Sequence, residues 1–225
     1  MTPVSTPRTD FLRDLATEIL GLYGRGRTMV AIDGTDATAR SAFADDLAAA
    51  FAETGHGVSR ASLGDFELSA EAQAAFGPAS PERLFRHRYD FDLLRRALLT
   101  PFREAGGTTG PADDTLIFDG EFLLRKELRD GWSFSVLTET AADASTTGAF
   151  IDLAAGLTAS GELGEAAGAD AGSGNGAAQG GASKPDDQAQ ANRIYRAEVR
   201  PRAWASAVVD LANPADPRRL FFDSC

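Results

Sequence analysis

Thr28-Met29-Val30-Ala31-Ile32 is a short, almost wholly apolar run that stops at Asp33-Gly34. A run this short, without polar alternation, reads as a strand buried on both faces. From Ser41 to Glu53, Phe43, Leu47 and Phe51 recur at i, i+4 and i+8, the spacing of one helix face. The same alternation returns along the chain. Val58–Ser62, Thr115–Phe118, Phe134–Leu137 and Ala207–Leu211 read as further strands, the second of them again ending in Asp119-Gly120. Asp10 is placed to cap a first helix with Phe11, Leu15, Ile19 and Leu22 on one face, closed by Gly24 and Gly26. A helix over Asp92–Thr100 turns Leu94, Ala97 and Leu98 inward and ends at Pro101. Short buried strands alternating with amphipathic helices predict an α/β fold, a doubly wound parallel sheet flanked by helices.

Between the first strand and its helix stands Gly34-Thr35-Asp36-Ala37-Thr38-Ala39-Arg40-Ser41. A phosphate-binding loop is written G-x-x-x-x-G-K-[ST] and occupies this position between a strand and a helix N-terminus. Unpartnered N–H groups at the helix start favour an anion there, and a hydroxyl at Ser41 suits Mg²⁺. Two positions depart from the pattern. Ala39 stands where backbone must approach phosphate closely, and Arg40 replaces a compact ammonium with a planar fork. An ordinary βα turn is the competing reading of these eight residues.

The chain of 225 residues carries 22 Lys plus Arg against 33 Asp plus Glu, a formal charge of −11. That balance argues against a nucleic-acid partner, whose phosphates call for a basic face. It equally argues against an anionic membrane surface. No apolar stretch is long enough to span a bilayer, and MTPVSTPRTD lacks the apolar core of a signal peptide, so a cytoplasmic protein is expected. The single Cys225 excludes an intrachain disulfide. Much of the charge is local. Residues 139–192 hold eight acids against Lys184 alone, and 161–183 are mostly Gly and Ala. Such a composition offers little apolar surface to offset ordering entropy. We therefore divide the chain into a core of 1–138 and 193–225 and a flexible acidic lid or insertion, 139–192. Ala149, Phe150, Ile151, Leu153, Ala154 and Leu157 mark a local helix within it.

Five blocks, VAIDGTDATARSAFADDLAAAF, RASLGDF, SPERLFRHRYDFDLLRRALLTPF, LIFDGEFLLRKELRDGWSFSVL and NRIYRAEVRPRAWASAVVDLANPADP, run in an order that resembles the uridine kinase-like family of P-loop small-molecule kinases, actinobacterial type. The resemblance implies a P-loop NTPase fold, ATP with Mg²⁺ as cofactors, and transfer of the γ-phosphoryl to a nucleoside-type hydroxyl. It implies nucleotide contacts at Gly34, Thr35, Asp36, Ala37, Thr38, Ala39, Arg40 and Ser41, and metal contacts at Ser41 and Asp119. The family's proton-accepting Asp falls on Gly64, leaving Asp65 as the candidate base. Asp65 also reads as a turn or capping carboxylate, and Asp119 as an Asp-Gly turn. Arg83, Arg86, His87 and Arg88 form a basic cluster that reads as a phosphate contact or a solvated helix end. The family's lid arginines are missing, since no Arg lies between Arg129 and Arg193.

Three functions follow. The first is a uridine-kinase-like protein whose catalysis is weak or lost and which binds a small ligand, a nucleotide or nucleoside. The second is an active kinase using Arg40 in place of lysine. The third is a non-catalytic module that meets a protein partner through 139–192.

Overall fold

The computed structural model describes residues 5–105, 113–141, 143 and 185–220. The Gly/Ala-rich stretch and the expected helix over 149–157 lie outside them. Six strands form one sheet: β1 (Arg27–Gly34), β2 (Gly57–Ser62), β3 (Asp114–Gly120), β4 (Phe134–Glu139), β5 (Ala207–Asp210) and β6 (Arg218–Leu220). Their order is β2-β3-β1-β4-β5-β6, and every pairing is parallel except the antiparallel β5–β6 pair. The α/β parallel sheet expected from the sequence is therefore present, with a short antiparallel edge strand that no apolar run announced.

β1 lies at the centre, and its alternation decides both cores. Val30 and Ile32 join the cluster under α1 (Pro7–Tyr23) and α2 (Ala37–Glu53), with Phe43, Leu47 and Phe51. Met29 and Ala31 face the opposite layer, with Leu94, Leu99, Leu116 and Phe118. Among the described residues five further helices follow: α3 (Ala70–Ala74), α4 (Pro81–His87), α5 (Phe91–Leu94), α6 (Thr100–Glu104) and α7 (Pro185–Val199). α7 begins within the window assigned to the acidic insertion, so the boundary drawn at residue 192 falls inside one continuous helix.

Two helices differ from their sequence reading for identifiable reasons. α1 is capped by Thr6, in a reciprocal box with Thr9, and Asp10 sits in its first turn instead. Its buried face is Leu12, Leu15, Ala16 and Ile19, which leaves Leu22 61% exposed. The helix expected to stop at Pro101 continues to Glu104 through a π-helical turn, Arg95–Leu99. That turn brings Leu94 and Leu99, five residues apart, to the same core, while Ala97 is exposed. Pro101 stands just after this turn, and the helix runs through it.

The register aligns the strands' C-terminal ends. Ile32 pairs with Asp119, Asp33 with Gly120 and Leu137, and Ser62 also with Asp119. Between β3 and β4 the chain crosses from one side of β1 to the other, the place where open α/β sheets bind ligands. Gly34 owes its identity to β4. A Cβ there would lie 2.1 Å from Thr138 Oγ1 and 2.9 Å from its carbonyl oxygen. Gly34→Ala is accordingly expected to lower stability by about 1–3 kcal/mol, the usual range for overpacking, in chemical denaturation. A change inside ~0.5 kcal/mol, the range of a neutral surface substitution, would show that β1 and β4 separate readily at this end.

Candidate functional site

The turn after β1 is only Thr35-Asp36, because α2 starts at Ala37, four residues before the expected Ser41. Alanines at 37 and 39 favour helix where glycines would favour an open loop. Asp36 completes the change as N-cap: its Oδ1 accepts from the Ala39 N–H at 2.9 Å, and its carbonyl accepts from the Arg40 N–H at 3.0 Å. Two N–H groups that would face a phosphate are thus satisfied within the chain, beside a carboxylate. Ala37, Thr38, Ala39, Arg40 and Ser41 are all helical. Thr35 Oγ1 donates to Asp143 at 2.6 Å.

Arg40 turns inward. It is 8% exposed, donating from Nη1 to the Gly34 carbonyl at 2.6 Å and from Nε to Asp119 Oδ2 at 3.3 Å. The other Asp119 oxygen forms an ion pair with Arg60 Nη2 at 3.0 Å, without hydrogen-bond geometry. Arg60 also holds Asp45 and the carbonyls of Ala61 and Ile117. Both oxygens of the expected metal carboxylate therefore face guanidinium groups. No group of three or more acidic, His or Cys side chains that suits a metal exists among the described residues. In this arrangement the residues assigned to Mg²⁺ and ATP do not fit them: the metal carboxylate is neutralised, and the helix start carries its own anion. Asp65 is exposed on a 3₁₀ turn capped by Ser62, and makes no hydrogen bond among the described residues.

The basic cluster near residue 85 is used internally. Arg83 donates to the Gly77 carbonyl at 2.5 Å, Arg86 pairs with Glu82 and Glu198, and the His87 ring stacks on Phe76 at 4.2 Å. Arg88 reaches Glu67, Glu121 and Gln188. Buried Glu121 also accepts from Tyr89 Oη at 2.8 Å and Gln188 Nε2 at 2.8 Å, which fastens the start of α7 to the core. Burial, then the neighbouring Glu121, holds the Tyr89 hydroxyl far above its ordinary range. Of the two tryptophans, Trp132 stacks on Phe118 in the core, and Trp204 is half exposed beneath Arg129.

A second buried carboxylate stands near the end of β1. Asp33 is 1% exposed and accepts from Tyr195 Oη and from the Leu124 N–H at 3.2 Å. Burial pushes its pKa up to about 6, against the opposing pull of Tyr195, Arg40 and the Leu124 and Gly34 amides. Burial, then Asp33 itself, drives the Tyr195 phenol well above its normal range. Beside this pair opens a cavity of about 380 Å³ between the ends of β1 and β4 and the inner side of α7. Tyr195, Glu121 and the arginines of α7 were not selected from sequence. The signal available was Arg193, Arg196 and Arg200 at i, i+3 and i+7, one helix face.

No family model matches the chain, and no curated protein matches its sequence. Among solved structures, it is similar to a possible uridine kinase from Bacillus stearothermophilus, at 18% identity and a TM-score of 0.61, covering 89% of this chain and 96% of that one. A D-glycerate 3-kinase from Cryptococcus neoformans aligns over 94% of this chain and 97% of that one at 12% identity, with a TM-score of 0.47. The likeness is one of fold, a mostly parallel α/β sheet flanked by helices.

Asp33 ties stability to pH. Its folded pKa lies above the ordinary 3.8, so its contribution is present below that value and is lost as pH rises through about 6. Asp33→Asn keeps an acceptor for Tyr195 and Leu124 but has no charge to bury. The melting temperature of the variant relative to the parent should therefore rise between pH 4 and pH 7, by the equivalent of at most about 3 kcal/mol. A difference that stays flat across that window would refute the burial of an ionising carboxylate.

Proposed function

We propose that this chain is a uridine-kinase-like P-loop protein in which phosphoryl transfer is weak or lost, and which acts as a small-molecule binding protein. The observation that carries the reading is the replacement of phosphate and metal by the chain's own groups. Asp36 caps the helix where an anion would sit, while Arg40 and Arg60 occupy both oxygens of Asp119. Phosphoryl transfer depends on preorganised donors and cations around the moving group. Removing one such donor typically slows an enzyme by about 10²–10³, and here the loop, the cation and the metal carboxylate are engaged together. The reading in which Arg40 serves an active kinase loses support, because its guanidinium is held at Gly34 and Asp119. Asp65, exposed and unpartnered among the described residues, is the base that an active enzyme would use. No helix among the described residues is long and apolar enough to cross a membrane.

A thermal-shift titration with ATP and Mg²⁺, alone and with a panel of nucleosides, tests the proposal alongside an ADP-release assay. The melting temperature is expected to stay unchanged at millimolar nucleotide, with no nucleoside-stimulated ADP release. Combining Asp36→Gly, Ala37→Gly, Ala39→Gly and Arg40→Lys should restore an ATP-dependent shift by reopening the loop and releasing Asp119. Turnover by the unaltered chain with any nucleoside would sink the proposal.

A further inference from the structure

The cavity beside Asp33 has a charge arrangement that the loop region does not explain. Four arginines line it: Arg193 and Arg196 on α7, Arg200 just after the helix, and Arg202. Four acids line it as well, and each has a partner. Asp143 pairs with Arg196, Glu139 with Arg202, Glu121 with Arg88, and Asp33 with Tyr195. Arg193 and Arg200 are left over. Both are exposed, and neither side chain makes an ion pair or hydrogen bond with the described residues. The interior between them is apolar, walled by Phe122, Leu137, Pro201 and Ala203. Phe122 is fully buried and adopts a left-handed backbone at φ 63°.

We infer that this cavity binds an amphipathic anion, a molecule with a carboxylate or phosphate head and an apolar body, the head meeting Arg193 and Arg200. The volume of about 380 Å³ falls among small-molecule sites, which are mostly apolar with a few placed polar groups. Two unneutralised guanidinium groups on a chain of net charge −11 form a local exception to the repulsion that an anion meets elsewhere. Guanidinium forks suit carboxylate and phosphate oxygens alike. The apolar walls favour an alkyl or aryl body over a sugar, whose hydroxyls would be buried without partners. The inference rests on the binding reading above, and supplies its ligand class.

Octanoate and octyl phosphate, below their micellar concentrations, are the probes for calorimetric titration of the full chain. Octanol, inorganic phosphate and uridine monophosphate are the comparators. Both anions should bind, more weakly at 0.5 M than at 0.05 M salt, and the ratio of the two affinities identifies the preferred head. Arg193→Gln with Arg200→Gln should weaken binding by about tenfold or more, given the usual strength of a charge-assisted hydrogen bond. Ala197→Phe, which places a ring at an exposed cavity-lining position, should abolish it with melting temperature unchanged. Equal binding of octanol, preference for uridine monophosphate, indifference to the arginine pair, or no binding at all would each overturn the inference. The ADP-release assay reports on the loss of phosphoryl transfer separately, so the two readings fail independently.

Discussion

Asp119 sits at the end of the central strand pair, 1% exposed, between two guanidinium groups that come from different elements. Arg40 belongs to α2 and Arg60 to β2, so one carboxylate ties β3 to the helix above it and to the strand beside it. A buried charge is tolerated only when paired, and removing one partner of such a pair commonly costs about 3–5 kcal/mol. The arrangement therefore constrains its surroundings. Arg40 must point inward to reach Asp119, α2 must begin early enough to carry it there, and the turn after β1 shrinks to two residues. What resembles a phosphate loop in sequence becomes a capped helix start.

The same logic runs through the other buried acids. Asp33 accepts from a phenol and a backbone amide, and burial raises its proton affinity against the pull of both. Glu121 receives an arginine, a tyrosine and a glutamine, and so joins α7 to the strand ends. Asp143 gathers Thr35, Thr140 and Arg196, linking the chain after β4 to the turn after β1. Each of these buried carboxylates is turned toward its own chain. The unneutralised charge near the strand ends belongs to Arg193 of α7 and Arg200 just after it, which moves the favourable ground for an anion away from α2.

Much of the framework was legible because it depends on local periodicity. The apolar run before Asp33-Gly34 had to be a strand buried on both faces, and Phe43, Leu47 and Phe51 had to share a helix face. The errors have physical causes. Leu22 fits the period of α1, but the core lies under Leu12, Leu15, Ala16 and Ile19, and burial follows the neighbours rather than the period. Pro101 signals a stop, yet a π-turn carries the helix through it, since Leu94 and Leu99 reach one core only at that spacing. β6 is three residues with two arginines, too short and too polar to register as a strand.

The candidate site divides along the same line. The order of residues determined that a strand, a turn and a helix meet at Gly34, that Ala39 and Arg40 replace a glycine and a lysine, and that negative charge gathers in 139–192. It did not determine where Arg40 points, because a guanidinium on a helix start reaches outward or inward with equal chemical ease. Tertiary structure decided that by bringing Asp119 from 79 residues away to within 3.3 Å. It also placed Tyr195 against Asp33 across 162 residues, and left Arg193 and Arg200 beside an apolar cavity without counterions among the described residues. Pairing between distant residues is set by the packing of whole elements, and no local pattern records it.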